Sequence, residues 1–203
     1  MMRRLSVVVV FALSVAACGP EMPPLNFSVP NVGPSQTKLD AEVKSITVSV
    51  ARPDEATGKL AFGVETSAPL WKTSLEEALT KMAIFKDDAP KKVSVAVKVL
   101  KLDLPDFGGT FTTETAARYE IIDRSDGSVI FTTDVNSKGE VTLDYAFVGM
   151  VRARESINRS VQNNILQFLQ QVETVRIDRP MFPVARAPAS LPATISAKGA
   201  PTS

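Results

Sequence analysis

The sequence predicts an α+β fold: an antiparallel sheet with two helices packed on one face, between an N-terminal tether and a C-terminal tail. Three observations predict it. Val93, Val95, Val97 and Val99 alternate at the period of a half-buried strand. Asp126-Gly127 forms a tight turn signal between two further strand-like runs. Ile157, Val161, Ile165, Phe168, Leu169 and Val172 repeat at helical spacing near the end of the chain.

The elements follow in order. Ser45 to Val50 alternates apolar with hydroxyl residues and predicts a half-buried strand; Leu60 to Glu65 predicts a second, with Asp54 to Gly58 as the turn. Thr73 and Glu76 have capping-box spacing, and Leu75, Leu79 and Met82 share a face beside Ala78, which predicts a short helix ending near Phe85. Asp87-Asp88-Ala89-Pro90 stops it, and Trp71 and Phe85 read as the edge of the core. In the valine strand the apolar phase then shifts to Leu100, Leu102 and Leu104. A bulge near Val99 and Leu100 returns both sets to one face; the alternative is a second half that serves another layer. Ala117, Tyr119 and Ile121 make the next strand, and Asp126-Gly127 turns into Val129 to Val135. Gly139 opens a short extension through Val141, Leu143 and Tyr145. The closing helix runs from about Val148 to Thr174, with Arg154, Asn158 and Gln162 opposite the apolar stripe.

Proline marks the borders of this domain. Five of the 14 prolines lie between Pro20 and Pro34 and five between Pro180 and Pro201. The expected organisation is residues 1–17 as a signal peptide, 18–38 as a lipidated cysteine with a Pro-rich tether, 39–177 as a single α+β domain, and 178–203 as a disordered Pro/Ala/Ser tail. No internal repeat is visible.

The N-terminus reads as an address. Arg3 and Arg4 precede an apolar run from Leu5 to Ala17, and Val15-Ala16-Ala17-Cys18 follows. Thirteen helical residues rise about 20 Å, short of the roughly 30 Å hydrocarbon thickness, so secretion fits better than spanning. Val15-Ala16-Ala17-Cys18 resembles a lipoprotein lipobox, which implies a Cys18 acylated on sulfur and on its new amino group. Cys18 is the chain's single cysteine, and two or three acyl chains anchor stably where one does not. Gly19, not aspartate, follows it, which the resemblance associates with the outer membrane.

Composition narrows the chemistry. With no histidine there is no imidazole triad or proton shuttle, and with one cysteine no intrachain disulfide or CxxC site. Lys plus Arg number 23 against 22 Asp plus Glu, which argues against nucleic acid as a partner. The short clusters Lys91-Lys92 and Arg152, Arg154, Arg159 read as solvated faces, and Glu155 with Arg159 as an i,i+4 pair.

Ser35-Gln36-Thr37-Lys38 matches the S-x-x-K pattern of penicillin-recognising enzymes but lies in the Pro-rich stretch without the companion motifs. Asp54-Glu55, Asp87-Asp88 and Asp123 with Asp126 fall at turns, where aspartate bonds the backbone. In Leu104 to Phe111 two glycines sit between phenylalanines: either the rings fold back on the sheet, or Phe107, Gly108, Gly109 and Phe111 form a partner-binding loop.

Ala68-Pro69-Leu70-Trp71 leading into Leu75-Glu76-Glu77-Ala78-Leu79, the Val93 to Leu102 strand and the helix Ile157 to Ile165 carry a family resemblance. Over about Val43 to Val172 the chain resembles the YajG-like periplasmic lipoproteins, whose domain is similar to the N-terminal α/β domains of TolB and of curli-secretion lipoproteins. The resemblance implies an envelope lipoprotein with no catalytic residues to carry over. The expected function is a non-enzymatic lipoprotein, attached to membrane lipid through acylated Cys18, facing the periplasm from the outer membrane and presenting a binding or assembly domain to an envelope protein. The alternative is an auxiliary lipoprotein of lipid or lipopolysaccharide transport, with an apolar pocket between helices and sheet. A third reading, an enzyme using Ser/Lys or paired carboxylates, requires a cleft where such groups converge. No cofactor, metal or nucleic acid is expected.

Overall fold

Hydrophobic alternation builds four strands, Ala41–Val50 (β1), Lys91–Asp103 (β2), Phe111–Asp123 (β3) and Val129–Val141 (β4), in the sheet order β1-β2-β3-β4. The computed structural model describes residues 22–61, 63–104 and 108–184. β2, β3 and β4 pair antiparallel, but β1 runs parallel to β2, so the sheet is mixed. The reason is the intervening helix Ala68–Met82 (α1): a crossover returns the chain to the end where β1 began. The second helix, Gly149–Val172 (α2), packs beside α1 on the same face, against β3 and β4.

The bulge falls where the phase shift predicts it. Val99 opposes Ala117 and Lys101 opposes Ala116, leaving Leu100 as the extra residue. Leu102 thereby rejoins the valines in the core, while Leu100 packs on the other face with Ala51 and Ala116. Leu104 is exposed.

Three elements depart from expectation. Leu60 to Glu65 is not a strand: Leu60 makes one isolated bridge to Leu102, and Gly63, with φ +77°, leads into a 3-10 turn over Val64–Ser67. That turn runs directly into α1, whose first turn carries Pro69, so Thr73 and Glu76 lie inside the helix and form no capping box. The helix stops at Met82, where Ala83 turns left-handed and donates to the Leu79 carbonyl, which leaves Phe85 beyond it. Gly139 opens no new extension; β4 passes through it unbroken to Val141, and Leu143 and Tyr145 stand outside the sheet.

Trp71, Tyr119 and Phe168 fill the space between helices and sheet, with the β2 valines beneath them. Residues 22–38 are not a free tether. Phe27 and Val29 are buried, and Phe27 meets the Trp71 ring edge-on at 6.3 Å. This strap enters beside Arg154, which donates to the Pro23 carbonyl, passes Asn158 and Gln162, and reaches the end of α1, where the Ser35 amide donates to the Met82 carbonyl. At the other terminus Val175 and Ile177 are buried. Met181 and Phe182, in the stretch expected as tail, bond to Ile130 and Val129 at the open edge of β4. The signal segment, Cys18 and residues 185–203 lie outside the described residues.

Candidate functional site

α2 is two-faced in a way the apolar stripe does not disclose. Ser156, Ser160 and Asn164, four residues apart, are buried against β3 and β4, and Asn158, expected on the solvent face, is buried under the strap. The Trp71 indole donates to Tyr119 Oη (3.2 Å), which donates to Asn164 Oδ1 (2.8 Å). Asn164 Nδ2 reaches the Val135 carbonyl and Ser137 Oγ. Thr115 meets Ser160 at 2.7 Å and Thr113 meets Ser156 at 2.8 Å, while Ser137 donates to the Ser160 carbonyl. Every member has a partner, so the network fixes the helix in one register rather than leaving it to slide. Burial holds the Tyr119 phenol protonated, and Phe168 stacks on its ring at 4.1 Å.

This register brings two loops together at one end of the fold. Of the candidate loop, Phe107 lies outside the described residues, and Phe111 folds back into the sheet, 6% exposed. A side chain on Gly109 would touch Leu143 of the β4–α2 loop. The apolar surface is carried by that second loop: Phe147 is 99% exposed, Leu143 61%, Met150 56% and Tyr145 48%, with Leu104 beside the first loop. Arg152 holds the two together from beneath. Its guanidinium donates to the carbonyls of Ala146 (2.6 Å) and Phe147 (2.9 Å), reaches that of Gly108, and lies 5.0 Å over the Phe111 ring. Arg152 is therefore buried rather than solvated, as the sequence would have it, and its Nε has no partner among the described residues. Arg159 pairs with Glu155 as the spacing predicts, and its guanidinium also covers Tyr145.

The opposite end holds an open cleft of about 1040 Å³ between the strap's exit, the β3–β4 turn and the segment after α2. It is lined by Lys38, Lys91, Asp123, Ser125, Glu173 and Arg176 among others. Within it Lys91 pairs with Asp123, and Arg176 lies beside Asp178. Burial pushes the Asp123 carboxyl up, but Lys91 at 2.7 Å and the Ser125 hydroxyl and amide overcome this and bring its pKa to about 2. Asp126 accepts from the Ser128 amide and hydroxyl, as a turn aspartate does.

Ser35 and Lys38 do not form a catalytic pair. Ser35 Oγ accepts from the Thr37 amide, and Lys38 Nζ donates to the Ala83 carbonyl. Glu55 is held ionised by Lys98 and the Arg52 amide, and Lys101 with Lys138 brings Glu114 to about 2. Each described carboxylate with a resolved shift moves down, toward a permanent charge and away from a general acid.

No protein-family model and no curated protein matches the sequence. The fold is similar to that of a Xanthomonas campestris protein of the DUF330 family, with TM-score 0.52 and 9% identity over 76% of this chain and 94% of that one. A putative lipoprotein from Caulobacter crescentus follows at TM-score 0.42 and 11% identity, over 64% of this chain and 88% of that one. A putative neuraminyllactose-binding hemagglutinin homolog from Helicobacter pylori gives TM-score 0.40 and 11% identity, over 72% and 90% respectively. The likeness to the Xanthomonas protein supports the small α+β fold and goes no further than the fold; it does not single out the YajG-like group.

Proposed function

We propose that this chain is a non-enzymatic envelope lipoprotein, anchored through acylated Cys18 to the outer membrane and presenting its α+β domain to a protein in the periplasm. The observation that carries the reading is the strap. Its first described residue, Met22, stands four positions after Cys18, and from Pro23 onward the chain is bonded to the folded domain. An anchor at Cys18 therefore holds the domain itself at the membrane, raising its effective concentration toward partners in the same layer. The open cleft at the far end is the surface such an anchor presents outward.

The ionised carboxylates and the separated Ser35 and Lys38 support a binding role over catalysis. Trp71, Tyr119 and Phe168 fill the space between helices and sheet, which supports the binding reading over a transport pocket at that place.

The test is metabolic labelling with an alkyne fatty acid, with membrane fractionation. The natural chain is expected to take up label and sediment with the outer membrane, and Cys18→Ser to do neither. Unlabelled protein that stays in the membrane fraction would show that another feature anchors it. Photocrosslinking from Ser125 in the cleft then identifies the protein presented with this surface.

A further inference from the structure

We infer that the apolar end of the fold, the β4–α2 loop from Leu143 together with Met150 in the first turn of α2, seats on the lipid bilayer that holds the anchor, so that the domain stands on the membrane in one orientation. The inference rests on the proposed acylation of Cys18. Pro23, whose carbonyl Arg154 binds at 3.2 Å, is five residues beyond Cys18, and a fully extended chain of that length reaches no more than about 18 Å. Arg154 in turn lies one helical turn, about 6 Å, from Met150. α2 has 24 residues and spans about 36 Å. The acyl chains must therefore enter the bilayer near the N-terminal end of α2, and the opposite cleft is beyond their reach.

What stands at that end suits an interface with lipid. Between Thr142 and Val151 the only ionisable side chains are Asp144, which accepts from the Thr142 hydroxyl, and Tyr145, whose ring carries Arg159. Leu143, Tyr145, Phe147 and Met150 are apolar or amphipathic and exposed, the residue types that enter the boundary between headgroups and acyl chains. Bare carbonyls would oppose such entry, because lipid offers them no donor. Arg152 supplies it from below: the carbonyls of Ala146 and Phe147, at the crown of the loop, are already bonded. The loop's own hydrogen bonding thus removes part of the cost of leaving water.

The experiment uses the full lipidated chain in vesicles of phosphatidylethanolamine and phosphatidylglycerol. Phe147→Cys carries an environment-sensitive fluorophore, the thioether at Cys18 being unreactive; Ser125→Cys in the far cleft carries the same probe as a control. Phe147 is almost wholly exposed, so its replacement leaves the core intact. The expected result is a blue-shifted probe at position 147 that loses most of its emission to lipids with nitroxide-labelled chains, and an unshifted, unquenched probe at position 125. If the protein carries acyl groups and floats with the vesicles while the probe at 147 remains in water, seating on the bilayer is wrong and the anchor stands. A probe at 147 that is blue-shifted yet untouched by the lipid nitroxides means that a second copy of the chain covers the loop, which also overturns the proposal. Protein that neither carries acyl groups nor floats refutes the anchor and this inference with it.

Discussion

Gly139→Ala should damage this fold more than a place in a strand extension predicted from sequence would suggest. A Cβ at Gly139 would lie 2.1 Å from the Ser156 carbonyl oxygen, 2.3 Å from the Ser160 amide nitrogen and 3.0 Å from the Arg159 carbonyl carbon. All three atoms are backbone of α2, so no side chain can rotate out of the way. Since carbon needs about 3.5 Å to a neighbour, the helix must withdraw by about 1 Å. Forcing a methyl into a packed site costs about 1–3 kcal/mol. The withdrawal also stretches three bonds between helix and sheet, Thr113 to Ser156, Thr115 to Ser160 and Ser137 to the Ser160 carbonyl, each worth about 1 kcal/mol. The combined loss is about 4–6 kcal/mol if all three bonds are lost, a large part of the roughly 5–15 kcal/mol of a typical domain. Urea denaturation followed by far-ultraviolet circular dichroism measures it. Gly33→Ala is the control, because nothing lies within 4 Å of the new methyl. A Gly139→Ala midpoint indistinguishable from that of Gly33→Ala would refute the close approach of helix and strand.

Two further outcomes are expected. Phe27→Ala removes a ring that is 1% exposed and packed on Trp71, and should cost about 3–5 kcal/mol in the same assay; a loss below about 1 kcal/mol would mean that the strap is not part of the cooperative unit. Asp123 has its folded pKa lowered from 3.8 to about 2, so its stabilisation is complete above about pH 4 and is lost as pH falls through about 2. Lys91 is one-third exposed and solvent screens the pair, so the loss is at most about 2 kcal/mol. The difference in stability between the natural chain and Asp123→Asn should therefore shrink between about pH 4 and pH 2, and a constant difference would exclude Asp123 as the titrating group.

Regular apolar periods were legible from sequence, and single residues that serve a close contact were not. The four valines of β2 and the α2 stripe announce a strand and a helix because burial demands alternation in one and spacing of three and four in the other. The bulge was legible because Val99 and Leu100 cannot both face the core of an unbroken strand. The direction of β1 follows from its connection, not from its own residues: a helix between two strands is the signal for parallel pairing. Proline masked the strap: composition called for a linker, yet Phe27 and Val29 within it were apolar residues seeking cover. Ser156, Ser160 and Asn164 recur at spacing four and mark a second buried face, but polar residues on a helix read as solvated until a sheet of threonines and serines is known to oppose them. Gly139 belongs with the hidden residues: a lone glycine inside a strand often marks the approach of another backbone, but only the packed fold shows that the backbone is that of α2.

These hidden features act together on the candidate site. Gly139 lets α2 lie against β4, and the hydroxyl and amide network sets how far along the sheet it sits. That placement puts Arg152 under the β4–α2 loop and Arg154 beside Pro23, so one stretch of helix holds both the apolar loop and the point where the strap joins the fold. An apolar helix–sheet interface would bury α2 equally well, but hydrophobic contact is non-directional and tolerates a slide of one turn, whereas a fully bonded network does not. A slide of one turn moves the helix about 5.4 Å, enough to separate Arg152 from the carbonyls of Ala146 and Phe147. The buried polar face is thus the element that keeps the loop and the strap at the same end of the molecule.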